Sequence, residues 1–452
     1  MKNYIVLVIV LLQTCWGYSQ KFEGTWSGEL NVQGVALPLV FHLENQTQWS
    51  GMMESPAQGT AKIPMSSIRV DEDSIFIEVA AIRLRYKGKM NEEGKLEGTV
   101  MQNGMKFPML LSKSPYLAKK RLRPQTPNAP YPYDTLDVHF KNKFDAEELA
   151  GTLTIPKGKG KFPAVVLVTG SGPQNRNSEV FEHQVFKVVA DYLTKNNIVV
   201  LRYDERGVGA SKGNYTTSTI NEFSKDAISA VDFLKTQDKV NKHKVGIIGH
   251  SEGGLIALSL AGQQSADVDF IGVLAGPAIS IDSLMVLQAY EVGKSAGMSE
   301  AHLEKARVVN RKNYAIVKSD LSAEHAYLQI LENTSTLMPN MTEAQKSEVQ
   351  MIVRPAYRYF MRIDPVPFVK QIRIPVFVAF GSKDIQVPPA PNMESLRHNL
   401  PLDNRNFLKV YEGLNHLFQK AKTGAISEYI ENEETFNEDV LKDLSKWING
   451  LP

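Results

Sequence analysis

Val245-Gly246-Ile247-Ile248-Gly249-His250-Ser251-Glu252-Gly253-Gly254 is the stretch on which the fold is decided. Its apolar run lacks polar alternation, as in a strand covered on both faces. The run ends in Gly-x-Ser-x-Gly, and an amphipathic stretch from Leu255 to Ala261 follows. A serine on so tight a strand-to-helix turn is held in strained backbone with its hydroxyl projecting, and the glycines two before and two after it leave room for close chain approach. The agreement of strand, turn and helix, rather than the short pattern alone, makes Ser251 a nucleophile.

Working outward, Pro163 to Val168, Ile198 to Tyr203, Phe270 to Ala275, Ile374 to Phe380 and Phe407 to Tyr411 are further apolar runs of the same kind. Amphipathic segments at Phe181 to Lys195, Phe223 to Lys235 and Val440 to Trp447 fall between or after them. Buried strands alternating with helices predict an α/β domain over 135–452, a doubly wound and mostly parallel sheet. Thr135 to Phe140 and Leu149 to Ile155 read as an antiparallel hairpin at its edge. The long, mostly helical interruption at about 279–368 reads as a cap over a site, being too large for a loop.

A serine hydroxyl needs a base to take its proton, and the base needs an acid to fix its tautomer. The strand ending Phe380-Gly381-Ser382-Lys383 delivers Asp384 at the carboxyl edge of the sheet, and the next strand does the same for His416. The chain order Ser251, Asp384, His416 is the hydrolase order of nucleophile, acid and base. Among nine histidines, His42 and His139 fall on hairpin strands, His183, His302, His325 and His398 on helical stretches, and His243 in a polar turn. His250 is expected to point away from the site. Asp282 is the alternative acid. The tetrahedral oxyanion needs two donors; the backbone N–H groups of Glu252 and of Ser171, in Thr169-Gly170-Ser171-Gly172-Pro173, are placed to supply them. That loop lacks GxxxxGK[ST], which argues against a phosphate cradle.

The N-terminal part is different. Residues 20–112 show short alternating runs broken by glycines, including Gly34 and Gly104, with Asn91-Glu92-Glu93-Gly94 as a hairpin turn, which predicts a small all-β barrel or sandwich. Its aromatics Trp26, Trp49 and Phe76 are weighed as core against a ligand cavity, with core favoured. Residues 113–134, with five prolines and a Lys-Lys-Arg cluster, read as a stiff solvated linker. Residues 1–19 read as a secretory signal peptide: Lys2, an apolar run from Ile5 to Leu12, and a small-x-small pair at Gly17 and Ser19. This implies a secreted or periplasmic protein. The only cysteine, Cys15, lies within it; a lipoprotein is less favoured because the residues before Cys15 are not small. Across 452 residues, 51 basic and 49 acidic residues leave a net charge of +2, which gives no indication of a nucleic-acid partner. No run approaches the length of a membrane span.

From residue 135 onward the chain resembles the α/β-hydrolase superfamily, and within it the bacterial esterases of the EstD type, related to the serine aminopeptidase and acylaminoacyl peptidase branches. The resemblance rests on Gly170-Ser171-Gly172-Pro173, Tyr203-Asp204-Glu205-Arg206-Gly207-Val208-Gly209-Ala210-Ser211, the Ser251 motif, Asp384-Ile385-Gln386-Val387-Pro388 and Asn415-His416-Leu417-Phe418. Thr169 departs from it, since many relatives carry histidine there. The resemblance implies that Asp204 and Arg206 form a buried support pair. It also implies a serine carboxylic-ester hydrolase acting on a small-molecule ester, with an aminopeptidase or acylpeptide hydrolase taking a short peptide as the first alternative. A binding protein with a decayed site is the second. Glu291, Glu304, Glu332 and Asp364 are the cap carboxylates a peptidase could use for a free amino terminus. The cap re-enters near Asp364-Pro365, so Tyr357, Tyr359 and Phe360 are expected to crowd an acyl pocket and favour short chains. Serine, base and oxyanion donors complete acyl transfer without help, so neither metal nor organic cofactor is expected. No pattern assigns an oligomeric state.

Overall fold

A computed structural model describes residues 20–32, 35–56, 62–82, 84–102, 105–114, 121–341 and 343–452. The signal-peptide reading of residues 1–19, Cys15 with it, and the turn glycines Gly34 and Gly104 lie outside the described residues. The chain divides into two compact units, one of residues 1–120 with 340–350, the other of 121–339 with 351–452.

In the first unit, strands β1 (Gly24–Val32), β2 (Val35–Asn45), β3 (Trp49–Glu54) and β4 (Lys62–Pro64) form one antiparallel sheet. The second holds β5 (Ser67–Asp71), β6 (Ser74–Val79), β7 (Leu84–Met90), β8 (Leu96–Gln102) and β9 (Met105–Leu111). Alternation sends Ile75, Ile77 and Val79 of β6 inward to meet Trp26, Phe41 and Tyr86. Ser27 and Ser112 exchange two backbone hydrogen bonds of 2.9 and 2.8 Å, so the first strand meets the chain leaving the last. Trp26 is core, and its indole N–H donates to the Phe22 carbonyl at 2.7 Å. Trp49 packs only partly against that core. Phe76 faces the other way, with the Arg69 guanidinium 4.3 Å and the Lys87 ammonium 5.3 Å from its ring centre. It is thus neither core nor cavity lining, because β6 alternation puts it opposite Ile75 and Ile77.

The second unit is built on eight strands: β10 (Asp134–Lys141), β11 (Glu148–Ile155), β12 (Phe162–Val168), β15 (Val199–Tyr203), β16 (Val240–His250), β17 (Phe270–Leu274), β18 (Val376–Gly381) and β19 (Phe407–Tyr411). They lie in the order β10-β11-β15-β12-β16-β17-β18-β19. The pairs at the β10 end are antiparallel and all others, from β15 onward, are parallel. Every residue of β15, β17 and β18 is buried, as two helical layers require. The helices outside the cap are α1 (Val185–Lys195), α2 (Ile220–Lys235), α3 (Glu252–Gln263), α10 (Pro389–Asn399), α11 (Ser427–Glu431) and α12 (Glu438–Gly450). The insertion holds α4 (Ile281–Ser295), α5 (Glu300–Lys318), α6 (Ala323–Ser335), α7 (Glu343–Ile352), α8 (Pro355–Met361) and α9 (Val366–Val369). It is helical as expected, although residues 340–350 group with the first unit.

Four local expectations change: His243, read in a polar turn, lies within β16. The helix read from Phe181 begins at Val185, because β13 (Glu179–Val180) and β14 (His183–Gln184) form a short hairpin first. His183 is therefore a strand residue, fully buried, with its ring nitrogens 2.8 Å from Thr435 Oγ1 and 2.9 Å from the Tyr429 carbonyl. The stretch read as a solvated linker belongs, from Arg121 on, to the second unit. Arg123 donates to the carbonyls of Asn432, Phe181 and Ile430, and Gln125 accepts the N–H groups of Thr435 and Phe436. Loop carbonyls and amides that lack helix or sheet partners take them from this segment instead of from water.

Candidate active site

Parallel strands release their chains at one edge of the sheet, where the loops after β12, β15, β16, β17, β18 and β19 gather. Ser251 caps α3 with φ 55° and ψ −120°, outside the right-handed regions that suit a side chain. Its N–H donates to the Leu274 carbonyl at 2.9 Å, tying the turn to β17. The flanking glycines are steric necessities. A Cβ on Gly249 would stand 1.9 Å from the Gly253 carbonyl oxygen, and one on Gly253 would stand 2.1 Å from that of Val168. Both obstacles are backbone and cannot rotate away.

His416 and Asp384 are brought together by the neighbouring loops. A Cβ on Gly381 would stand 2.2 Å from the Leu414 carbonyl, so this glycine lets the two loops cross. Asp384 Oδ1 accepts the N–H groups of Gln386 and Val387, each at 2.8 Å. Its Oδ2 accepts from His416 Nδ1 at 2.8 Å, with both residues buried. This fixes the Nδ1–H tautomer and leaves Nε2 as the basic nitrogen. The His416 turn is shaped by buried Asn415, whose Oδ1 accepts the N–H groups of Leu417 (3.0 Å) and Gln419 (2.9 Å). Asp282, the alternative acid, is committed to Lys318 at 2.7 Å.

Glu252 is the first residue of α3, so its N–H has no carbonyl within the helix to reach, and it lies at the positive end of the helix dipole. The loop carrying Ser171 passes directly over the nucleophile. A Cβ on Gly170 would stand 3.0 Å from Ser251 Cβ and 3.6 Å from its Oγ.

Two expectations at the site are corrected. His250 does not point away: its ring lies 4.7 Å from that of His416, and Nε2 donates to the His416 carbonyl at 2.9 Å. A carbonyl only accepts, so His250 carries its proton on Nε2. Burial, reinforced by His416, pushes its pKa down to about 3, and the ring is neutral. Asp204 and Arg206 are buried but are not each other's partners. Asp204 binds the Arg176 guanidinium at 2.8 Å, and Arg206 grips Asp226 of α2 with two bonds of 2.7 Å. Each finds its countercharge on a different element that packs against the turn.

In the cap, a cavity of about 360 Å³ is lined by Asp282, Ser283, Val286, Leu287, Arg311 and Tyr314. Of the expected pocket aromatics, Tyr357 and Phe360 pack together at 6.3 Å while Tyr359 is exposed. Burial pushes the Tyr357 phenol up, with Tyr314 adding to it, and of these two tyrosines Tyr314 lines the cavity. Two cap arginines are structural: Arg358 and Arg362 bind the Val317 and Lys318 carbonyls at 3.0 and 2.9 Å, closing the last turn of α5. Of the cap carboxylates, Glu304 pairs with Arg307 at 2.7 Å and Asp364 accepts the Val366 N–H at 3.0 Å.

Comparison with known proteins finds relatives of this chain. Esterase EstD of Thermotoga maritima is 26% identical over 304 residues, which cover 66% of this chain and 65% of that protein. The match thus spans a little under two thirds of the relative's length. Human mitochondrial palmitoyl-protein thioesterase ABHD10 is 26% identical over 148 residues, 33% of this chain and 42% of that one. Among solved structures, the Pyrococcus furiosus esterase Pf2001 is 18% identical with a TM-score of 0.44, covering 73% of this chain and 98% of its own. The family model described as serine aminopeptidase, S33, matches residues 181–420, more than half of the chain and the span that holds Ser251, Asp384 and His416. The chain belongs to the serine aminopeptidase S33 family and has the α/β-hydrolase fold.

Proposed function

We propose that the protein is a serine carboxylic-ester hydrolase working through an acyl-enzyme, with Ser251, His416 and Asp384 as its triad. The observation that carries the reading is the buried 2.8 Å bond between His416 Nδ1 and Asp384 on the sheet edge where Ser251 occupies its strained turn. His416 Nε2 takes the Ser251 proton as Oγ attacks the ester carbonyl carbon. The oxyanion that forms accepts from the N–H groups of Glu252 and Ser171. Collapse expels the alcohol, which receives the proton from His416, and water repeats the sequence to release the acid.

The cap cavity is the acyl chamber in this reading. Helix α4 begins shortly after β17, whose last carbonyl holds Ser251, and Gln288 of α4 donates at 3.2 Å to the carbonyl of Gln386, next to Asp384. Such a chamber sets an upper limit on acyl length, each buried methylene contributing up to about 0.8 kcal/mol until the space is filled, and we take the preference to fall on short chains. The leader-like residues 1–19 support secretion or export to the periplasm. The deciding experiment sets p-nitrophenyl esters of increasing acyl length against aminoacyl and acylpeptide anilides. Rapid turnover of short esters is expected; anilides cleaved faster than every ester would make the protein a peptidase. Failure of a fluorophosphonate to label Ser251 would remove the enzyme reading altogether.

A further inference from the structure

Glu205 leaves β15 two residues after Tyr203 and is buried, yet it has no cation as partner among the described residues. Its two carboxyl oxygens go to the two ends of one short loop. Thr169 Oγ1 donates to Oε1 at 2.6 Å, and the Gln174 N–H donates to Oε2 at 2.9 Å. The Glu205 N–H closes a third bond, to the Gln174 carbonyl, at 3.2 Å. Between Thr169 and Gln174 lie Gly170, which touches Ser251, and Ser171, whose N–H the proposed mechanism uses. Elsewhere the loop is held by close packing, since Gly253 of α3 leaves no room for a Cβ beneath the Val168 and Thr169 carbonyls, and by the Gly172 N–H donating to the Tyr215 phenol.

Resting on the proposed acyl-transfer reading, we infer that Glu205 is a positioning residue for the oxyanion hole, a strut from β15 that holds the loop at the height where Ser171 can donate. Two donors at the ends of a glycine-rich loop, both taken by one rigid carboxyl, fix a span the glycines leave free to move. Burial raises the Glu205 pKa to about 8, against its hydrogen bonds to Thr169 and Gln174, and nearby Glu252 and Asp226 raise it further. A glutamine has the same shape and can satisfy both bonds, its amide donating to a rotated Thr169 hydroxyl and its oxygen accepting from Gln174.

The test compares Thr169→Val, Thr169→Ser, Glu205→Ala and Glu205→Gln with the parent chain, reading the rate of Ser251 labelling by a fluorophosphonate together with kcat and KM on p-nitrophenyl acetate. Loss of an oxyanion donor costs about 10² to 10³ in rate, so a displaced loop should cost about 10- to 100-fold. Thr169→Val and Glu205→Ala should lose that factor in kcat and in labelling, with KM within about twofold and, for Thr169→Val, a melting temperature close to the parent's. Thr169→Ser and Glu205→Gln should recover most of it. If Glu205→Ala fails to fold, Thr169→Val carries the test. Unchanged labelling and kcat in Thr169→Val overturn the strut, as does a Glu205→Gln no better than Glu205→Ala. A parent chain that is never labelled overturns instead the nucleophile on which the inference rests.

Discussion

At the scale of single residues, what the sequence displays is what is local. Ser251 announces itself because the glycines that its turn requires stand two positions away on each side, and Asp384 and His416 each follow an apolar strand. Ser251→Ala should remove hydrolysis by about 10⁴-fold or more while the melting temperature holds, since one hydroxyl on a turn is lost. Asp384→Asn should cost on the order of 10⁴-fold by upsetting the His416 tautomer. Asp282→Asn should cost far less in kcat than Asp384→Asn, because that carboxylate serves Lys318 and not His416. The reverse pattern, an active Asp384→Asn and an inactive Asp282→Asn, would reassign the acid. Gly253→Ala is a different case: its methyl would meet the Val168 carbonyl oxygen at 2.1 Å. Loss of both soluble yield and activity is expected, and a normally folded, fully active Gly253→Ala would contradict the described turn. His250 and Glu205 were not legible as site residues, because their partners His416 and Thr169 are 166 and 36 residues away. Nothing in GHSEG or in DERG says that a ring will lie on the base or that a carboxyl will bind a loop.

At the scale of elements, buried strands are the most legible because burial on both faces leaves no polar residue to blur them; Phe407–Tyr411 has the bounds read from the sequence. Helix α10 was legible only toward its C-terminal end, around His398, because its N-terminus is written in prolines, Pro388-Pro389-Ala390-Pro391, which fit a first helical turn but look like a loop. The cap aromatics were legible as a cluster but not as a lining. Helical spacing puts Tyr357 and Phe360 on one side of α8 and turns Tyr359 outward, while Tyr314, which lines the cavity, sits inside an unremarkable polar stretch of α5. If that cavity receives the acyl group, Tyr314→Ala should move the best p-nitrophenyl ester toward longer chains, and Tyr359→Ala should leave the profile alone. Equal profiles for both variants and the parent would detach the cavity from the acyl group.

At the scale of the whole molecule, the second unit's stability is tied to pH by buried and half-buried groups whose shifts oppose each other. His183 and His250 are pushed from the usual 6.5 to about 4 and about 3, His183 by burial and then by Arg123. Glu205 and Glu252 are raised from 4.5 to about 8 and about 7, burial being the main cause for each. Between the shifted and ordinary value of a buried histidine, the unfolded chain holds a proton that the folded chain does not, so stability rises with pH. Between the ordinary and shifted value of a buried glutamate, the folded chain holds the extra proton, and stability falls with pH. From pH 4.5 to 6.5 the two histidines and the two glutamates cancel, giving a plateau. Above 6.5 only the glutamates of these four act, and their share of the stability declines toward pH 8; below 4.5 the histidines act together with carboxyls held below their usual range, such as Glu222, Glu428 and Asp443, and stability declines toward acid. Glu252→Gln removes one glutamate, leaving two histidines against one inside the plateau. That variant should gain stability with pH between 4.5 and 6.5 at about 1.4 kcal/mol per pH unit, where the parent stays level. Urea unfolding at 25 °C across that window reads the slope directly. Parallel curves for parent and variant would mean that Glu252 is already ionised in the folded state, and that water reaches its carboxyl beside the half-buried Ser251.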